Sequence, residues 1–241
     1  MHQLMSIPSR NPCASRIANA SIAFATIAML FAGCSDNAKS TRTDPRLLVV
    51  DGIEITFADL QPYVDFLTET RPEAGTKTKY IWAMRDHVLP LKVAQREFPK
   101  ERAEQRKLAV ALRSVSTNIY ELEQQAKLIT DKTRSNLSRQ SAMLPVAMWL
   151  FDELNTNAVS PPIELAQGYF LVSSFTLNKS PLVMADYVDA LQVGFITHKS
   201  KEWREWWDNK KLTLGKKVTF VHPDYRDNIP TWMELPEDKK S

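Results

Sequence analysis

The sequence predicts a mainly α-helical protein with small β elements, an α+β fold in which a helical body is closed by a C-terminal helix and strand. Apolar residues recur at steps of three and four over most of the chain, which is the spacing of helices with one buried face. Only six glycines occur, and none lies between Gly75 and Gly168. Short apolar runs at 47–55, 168–175 and 218–221 predict the few strands.

The first 35 residues have the pattern of a bacterial export signal. Arg10 and Arg16 precede an uncharged apolar run over residues 22–32, and the first acidic residue is Asp36. The run is shorter than the roughly 20 apolar residues that a membrane-spanning helix needs. We therefore expect residues 1–33 to be a signal peptide that is removed.

Leu30-Phe-Ala-Gly-Cys34 at the end of this signal resembles the lipobox of bacterial lipoproteins, whose cysteine is acylated before cleavage. The resemblance implies lipidation of Cys34, with palmitate among the acyl chains, and two or more chains hold a protein stably at a membrane. Phe31 stands where the family prefers leucine. Ser35 favours the outer over the inner membrane by the usual sorting rule. The alternative is an ordinary signal peptide cleaved near Ala32 without lipidation.

The cysteine count and the net charge exclude several classes of function. Cys13 and Cys34 are the only cysteines, so a lipidated Cys34 leaves no thiol or disulfide in the mature chain. Without Arg10 and Arg16, 29 basic residues remain against 28 acidic ones, a net charge of +1. This balance predicts no nucleic-acid partner, while the export signal and the lipobox resemblance predict a location in the periplasm.

The mature chain begins with a tether and a hairpin. Residues 34–45 are polar and are expected to be a flexible tether, followed by an N-terminal helical domain over 46–145. Asp51-Gly52 lies between the apolar runs Leu47–Val50 and Ile53–Ile55. This dipeptide predicts a tight β-hairpin, because both turn positions need a positive φ.

Two helices are expected next in the N-terminal domain. The first is predicted to be capped by Asp59 rather than Thr56, because Pro62 would then lie in the first turn, where no backbone donor is lost. The second should run from about Thr78 to Phe98, with a kink at Pro90.

A third, longer helix is predicted from Pro99 to about Ile129. Its apolar positions form a heptad pattern: Leu108, Leu112, Val115, Ile119, Leu122, Ala126 and Ile129. The favoured interpretation is a face packed into the protein's own core, and the alternative is an intermolecular coiled coil.

A fourth helix is expected near Leu137–Leu154, bent or split at Pro145. The segment 146–180 then contains a predicted strand at Gly168–Phe175, after a break in the helical pattern at residues 155–162.

The C-terminal part, 181–241, is predicted to return to the N-terminal domain. Ser180-Pro181 has the form of a helix cap followed by a first-turn proline, and this last helix should run to about Asn209. We expect the following strand, Val218–Val221, to lie near Leu47–Val50 and so join the two ends of the body.

The chemistry of catalytic and metal sites is largely missing. His2, His87, His198 and His222 are scattered, and none pairs with another ligand at a metal-binding spacing. The sequence lacks a Gly-x-Ser-x-Gly elbow, a phosphate-binding glycine loop and a dinucleotide fingerprint. We therefore expect no metal and no cofactor.

Trp203, Trp206 and Trp207 form the main aromatic cluster, on one face of the predicted last helix. The favoured interpretation is a core anchor that holds this helix to the body, as tryptophan commonly does. The alternative is an exposed platform for apolar peptide segments.

The order of these elements resembles the SurA/PpiC-type periplasmic chaperones. Val49–Leu60 is similar to the opening strand, turn and helix of that family, and His87–Phe98 to its next helix. Phe151–Val172 resembles the end of a parvulin prolyl-isomerase domain. Tyr187–Trp207 followed by Lys217–Phe220 resembles the helix and strand that return to the N-terminal part.

The departures from this family concern catalysis. Phe170 stands where parvulins place a histidine after Gly-Tyr, and their Gly-Gly-x-Leu-Gly loop is missing. No catalytic residue of the family can therefore be carried over.

The resemblance implies a non-catalytic chaperone-like or scaffolding lipoprotein that binds unfolded or partner polypeptides. The candidates for its apolar groove are Phe66, Trp82, Trp203 and Trp206. One alternative is a divergent peptidyl-prolyl cis-trans isomerase that uses groups around Tyr169 and Ser173. The other is a structural envelope lipoprotein with one fixed partner.

Overall fold

The computed structural model describes residues 44–126 and 132–235. The predicted signal peptide, most of the tether and the lipidation candidate Cys34 lie outside the described residues. Those predictions therefore stay predictions.

The predicted hairpin is confirmed. Strands β1 (Arg46–Val50) and β2 (Ile53–Thr56) pair in antiparallel fashion, and the turn residues Asp51 and Gly52 have φ values of 51° and 75°. On its other side, β1 pairs with β7 (Val218–Val221), again antiparallel. The expected contact between the two ends of the body is thus confirmed as a three-stranded sheet of order β2-β1-β7.

Helix α1 (Phe57–Thr70) is capped by Thr56, so the predicted Asp59 cap is wrong. The Asp59 N–H donates to Thr56 Oγ1 at 3.2 Å, and the Thr56 N–H donates to Asp59 Oδ2 at 2.8 Å. This capping box satisfies two free backbone donors at once. Its stabilisation explains why the helix begins early even though Pro62 then lies inside it.

The second predicted helix is present in two parts. Helices α2 (Thr76–Ala83) and α3 (Leu89–Glu97) are joined by the π-helical turn Met84–Val88. The turn ends two residues before Pro90, which lies in the first turn of α3 and cannot donate a backbone hydrogen bond. The irregularity expected at this proline is therefore a widened turn, of the kind often found at functional sites.

The predicted single helix to Ile129 is wrong. Helix α4 (Pro99–Ser114) ends early, and a separate helix α5 (Ile119–Gln125) follows. The Asn118 side chain caps α5 by accepting hydrogen bonds from two backbone N–H groups. The break also divides the heptad pattern, since Val115 is 58 % exposed while the α5 positions are buried.

The second sheet is antiparallel, has the order β3-β6-β5-β4 and confirms the strand expected at 168–175. Its strands are β3 (Lys132–Ser138), β4 (Ile163–Leu165), β5 (Gly168–Asn178) and β6 (Tyr187–Ile196). The expected domain borders after residues 145 and 180 both fall within the span of this one sheet.

The helix predicted from Ser180-Pro181 is wrong in its first half. That region forms β6, and helix α7 begins only at Ser200 and ends at Leu214. The side chains of β6 alternate between two cores, with Val188 and Leu191 on opposite faces of the sheet. Pairing with β5 and β3 on either side therefore outweighs the helical spacing of its apolar residues.

The helix predicted over Leu137–Leu154 is much shorter than expected. Leu137 belongs to β3, and helix α6 runs from Leu144 to Leu150 with Pro145 in its first turn. Proline is accepted there because the first-turn N–H groups have no partner within the helix.

Three hydrophobic cores hold these elements together. One lies among the three-stranded sheet, helices α1 to α3 and the C-terminal segment. The other two lie on opposite faces of the four-stranded sheet, one beneath α6 and the other beneath α5.

Candidate functional site

A long groove runs between the N-terminal helices and the α6 side of the second sheet. It consists of three neighbouring cavities, which we name the outer, central and inner cavities, with volumes of about 790, 250 and 220 Å³. The outer and central cavities share Thr70 and Gln140. The central and inner cavities share Arg85, Asp86 and His87. Because neighbours share lining residues, the three cavities are adjacent, and we refer to them together as the groove.

The outer cavity is bordered by exposed apolar side chains. Leu182 is 71 % exposed and Val183 is 48 % exposed, and both line the cavity together with Pro72, which follows the end of α1. Large apolar side chains exposed side by side in a concavity are typical of binding sites.

The loop that carries these side chains is held by a buried carboxylate. The Ser180 N–H donates to Asp186 Oδ1 at 2.7 Å, and Arg139 Nε donates to Oδ2 at 3.2 Å. The Arg139 guanidinium also lies 4.8 Å from the centre of the Phe151 ring. Leu182 is therefore exposed on an anchored loop.

The central cavity is aromatic and cationic. Phe66 from α1 and Trp82 from α2 both line it. The Arg71 guanidinium lies 6.0 Å from the centre of the Trp82 ring, which permits a cation–π interaction. This cavity places an apolar surface beside a positive charge.

His87 occupies the junction of the central and inner cavities. Its ring stacks on Tyr63 with centroids 6.0 Å apart and planes inclined by 21°. Burial lowers the pKa of this imidazole from its ordinary 6.5 to about 4, although the Asp86 carboxylate acts in the opposite direction. At neutral pH the imidazole is uncharged, and the π-helical turn supplies an aromatic, neutral centre to the groove.

The inner cavity is lined by two of the three clustered tryptophans. Trp203 is 7 % exposed, and its ring stacks on Trp207 with centroids 6.4 Å apart. Trp206 lies outside the three cavities and packs instead against Phe98 and His198. The arrangement agrees with the core-anchor interpretation of this cluster.

The structure thus brings three of the four predicted groove residues to one groove. Phe66 and Trp82 meet in the central cavity, Trp203 lines the inner cavity, and Trp206 belongs to the core. Sequence reasoning missed Leu182, because Ser180-Pro181 before it has the form of a helix start. It also missed Arg71 and His87, whose roles depend on which side chains pack around them.

The residues considered for an isomerase form a structural cluster. Arg102 is 3 % exposed and donates to Glu164 Oε1 at 2.8 Å, and Tyr169 Oη donates to the same oxygen at 2.8 Å. Burial raises the pKa of Glu164, but hydrogen bonds from Arg102, Tyr169 and Gln95 together lower it below its usual value. This carboxylate is therefore held in its ionised form, as a structural partner of Arg102.

Ser173 is fully buried, and its hydroxyl has no hydrogen-bond partner among the described residues. A substrate outside the fold cannot reach this oxygen. The Ser173 hydroxyl therefore cannot act on an external proline peptide, whereas Tyr169 lines a separate cavity of about 620 Å³ together with Arg102 and Glu164.

Within residues 44–126 and 132–235, no group of three or more histidine, cysteine, aspartate or glutamate side chains could hold a metal ion. The helices of the same residues include none that is long and apolar enough to cross a membrane.

Comparison with known proteins found no family model, no curated protein and no solved structure that matches this chain. The features that indicate a function for this chain are therefore the groove and the sequence patterns.

Proposed function

We propose that this chain is a periplasmic lipoprotein, anchored through Cys34, that binds unfolded or partner polypeptides without catalysis in the long groove. The observation that carries the proposal is the groove, with Leu182 and Val183 held in exposed positions on an anchored loop. The aromatic residues of the central and inner cavities extend the same apolar surface.

The affinity would come from the burial of a client's apolar side chains. Each side chain of the size of leucine or phenylalanine contributes on the order of 1.5–3 kcal/mol when it leaves water. The ordering of an extended client opposes part of this gain. Two or three occupied positions would therefore give weak, reversible binding, which suits a protein that holds clients and releases them.

The lipid would add to binding without making any contact with the client. Attachment to the membrane confines the groove to a thin layer, and the effective concentration of clients in that layer rises accordingly. We favour the outer membrane, on the basis of Ser35. Cells fed a clickable fatty acid should label the wild-type chain and leave Cys34→Ser unlabelled, and an unlabelled wild-type chain would contradict the anchor.

The binding function is tested with the soluble chain 35–241, which retains every described residue. It should suppress aggregation of a denatured outer-membrane protein at near-stoichiometric ratios. Leu182→Asn should reduce this protection, because a polar amide in the outer cavity must lose its hydration when a client binds. Leu212→Asn is the matched control, since Leu212 is 68 % exposed on α7, outside the groove.

If the wild-type chain did not suppress aggregation, the chaperone-like hypothesis would be contradicted. If Leu182→Asn and Leu212→Asn reduced the suppression of aggregation equally, the groove would not be the binding site. Crosslinking in cells distinguishes a protein with many clients from one with a single fixed partner. A single partner would support the alternative of a structural envelope lipoprotein.

The isomerase alternative is tested by a cis-trans assay on a proline peptide, which should give the background rate. A rate above background would support that alternative.

A further inference from the structure

The acidic side chains of the outer cavity form no ion pair within residues 44–126 and 132–235. Glu69 and Glu73 both line the cavity and are exposed, and neither forms an ion pair with any described residue. Arg71, the basic residue between them in sequence, lies over Trp82 in the central cavity. The outer cavity therefore carries uncompensated negative charge.

The backbone adds to this negative potential. Glu69 lies in the last turn of α1, and that turn has no basic residue. The carbonyl end of a helix carries a partial negative charge and is stabilised by cations. A positive charge brought to this end of α1 would thus be attracted by two carboxylates and by the helix dipole.

An apolar surface lies beside these carboxylates. Pro72, Pro181, Leu182 and Val183 line the same cavity as Glu69 and Glu73. Lysine and arginine side chains pack their methylene stems on apolar surface while the charged head stays hydrated or paired. The cavity offers both parts of such a contact.

We propose that the outer cavity selects polypeptide segments in which a lysine or arginine stands next to a large apolar residue. The apolar side chain packs on Leu182 and Val183, and the basic side chain pairs with Glu69 and Glu73. This inference rests on the proposed binding function and specifies the class of segment that the groove prefers.

A membrane is the other candidate occupant, and the charges disfavour it. Anionic lipid headgroups attract basic surfaces, at about 1 kcal/mol for each lysine or arginine near the surface. Glu69 and Glu73 would instead be repelled by such headgroups. The exposed leucine and valine of this cavity therefore fit a basic polypeptide better than a lipid surface.

The test compares three fluorescent peptides that differ at one position, with Val-Leu followed by lysine, glutamine or glutamate in an otherwise identical extended sequence. Binding to chain 35–241 is followed by fluorescence anisotropy at low and high salt. We expect the lysine peptide to bind about three- to tenfold more tightly than the glutamine peptide, an advantage that salt screens.

Three protein variants assign the preference to the cavity. The double variant Glu69→Gln/Glu73→Gln should lose the lysine preference and keep the affinity for the glutamine peptide. Glu69→Lys/Glu73→Lys should prefer the glutamate peptide. The control Glu101→Gln/Glu104→Gln changes the net charge equally at exposed positions of α4, and it should behave like the wild type.

The outcomes separate this inference from the proposed function. Equal binding of all three peptides, weakened by Leu182→Asn, would overturn the basic preference and leave the groove as a polypeptide site. No binding of any peptide would overturn both. Binding of the wild-type chain to anionic vesicles that is lost in Leu182→Asn would assign the cavity to the membrane and overturn the inference.

Discussion

At the scale of single residues, His87 combines a structural and an electrostatic role. Its ring stacks on Tyr63 at the centre of the groove, and burial lowers the pKa of its imidazole to about 4. In the unfolded chain the same group has a pKa near 6.5. Between these two values the unfolded state binds more protons than the folded state, so stability rises with pH in this window.

We therefore expect the free energy of unfolding to fall by about 2 kcal/mol from pH 7 to pH 5, because the unfolded state gains a proton on His87 that the folded state excludes. His87→Phe keeps an aromatic ring against Tyr63 and removes the titrating group. Urea unfolding at a series of pH values should show a much flatter dependence for this variant. Parallel curves for the two proteins would contradict the assignment.

Between pH 5 and pH 7 the expected change in the free energy of unfolding comes from His87 and not from the carboxylates. Asp59 and Glu164 also have lowered pKa values, because hydrogen bonds from Lys92 and Arg102, among others, outweigh the effect of burial. A carboxylate with a lowered pKa contributes stability above its unfolded pKa of about 4 and loses it below that value. Its effect therefore appears only in more acidic solution.

At the scale of elements, the loop between β5 and β6 supplies one side of the outer cavity, through Pro181, Leu182, Val183 and Ala185. Asp186 holds it through Arg139, and the two side chains are only 7 % and 16 % exposed. A comparable pair joins β3 and β6 on the surface, where Arg134 is 51 % and Asp189 31 % exposed. The two pairs have similar chemistry, but Asp186 is more buried than Asp189 and also accepts the hydrogen bond from the Ser180 N–H.

Asp186→Ala should lower the free energy of unfolding by about 3 kcal/mol, because it removes a buried carboxylate and leaves the partly buried Arg139 guanidinium without its partner. Asp189→Ala should cost less than about 1 kcal/mol, as is usual for exposed pairs. Chemical unfolding of both variants measures the difference. Similar losses would show that the loop does not depend on the buried pair.

At the scale of the whole molecule, the last strand completes the first core. The backbone of β7 pairs with β1, and the His222 N–H donates to the Leu47 carbonyl at 2.9 Å. Val218, Val221, Tyr225 and Met233 all contribute to the same core. The two ends of the described chain therefore belong to one packed unit.

A chain that ends at Lys217 should lose cooperative unfolding, since it lacks four core side chains worth about 1.5–3 kcal/mol each. Their sum is comparable to the whole stability of a typical domain, which is about 5–15 kcal/mol. A chain that ends at Leu235 is the control and should unfold like the full protein. Thermal unfolding followed by near-ultraviolet circular dichroism distinguishes the two, and a sharp transition in the shorter chain would contradict the expectation.

The sequence alone determined the features that depend on neighbouring residues. The Asp51-Gly52 turn, the strands on either side of it and the strand that begins at Gly168 follow from local backbone preferences. The proline-opened helix α4 follows in the same way, although its end does not. Of the candidate site, Phe66, Trp82 and Trp203 could be named as apolar groove residues before their positions were known.

Tertiary structure decided the features that depend on distant partners. Residues 187–196 have apolar spacing that suits a helix, yet they form β6 because β5 and β3 offer hydrogen bonds and two cores receive the alternating side chains. The exposure of Leu182, the placement of Arg71 on Trp82 and the burial of His87 likewise arise only when separate elements pack. The helix and strand propensities of most residues span less than about 1 kcal/mol per residue. Pairing with distant strands and burial in a core therefore decide the structure wherever they contribute more than this.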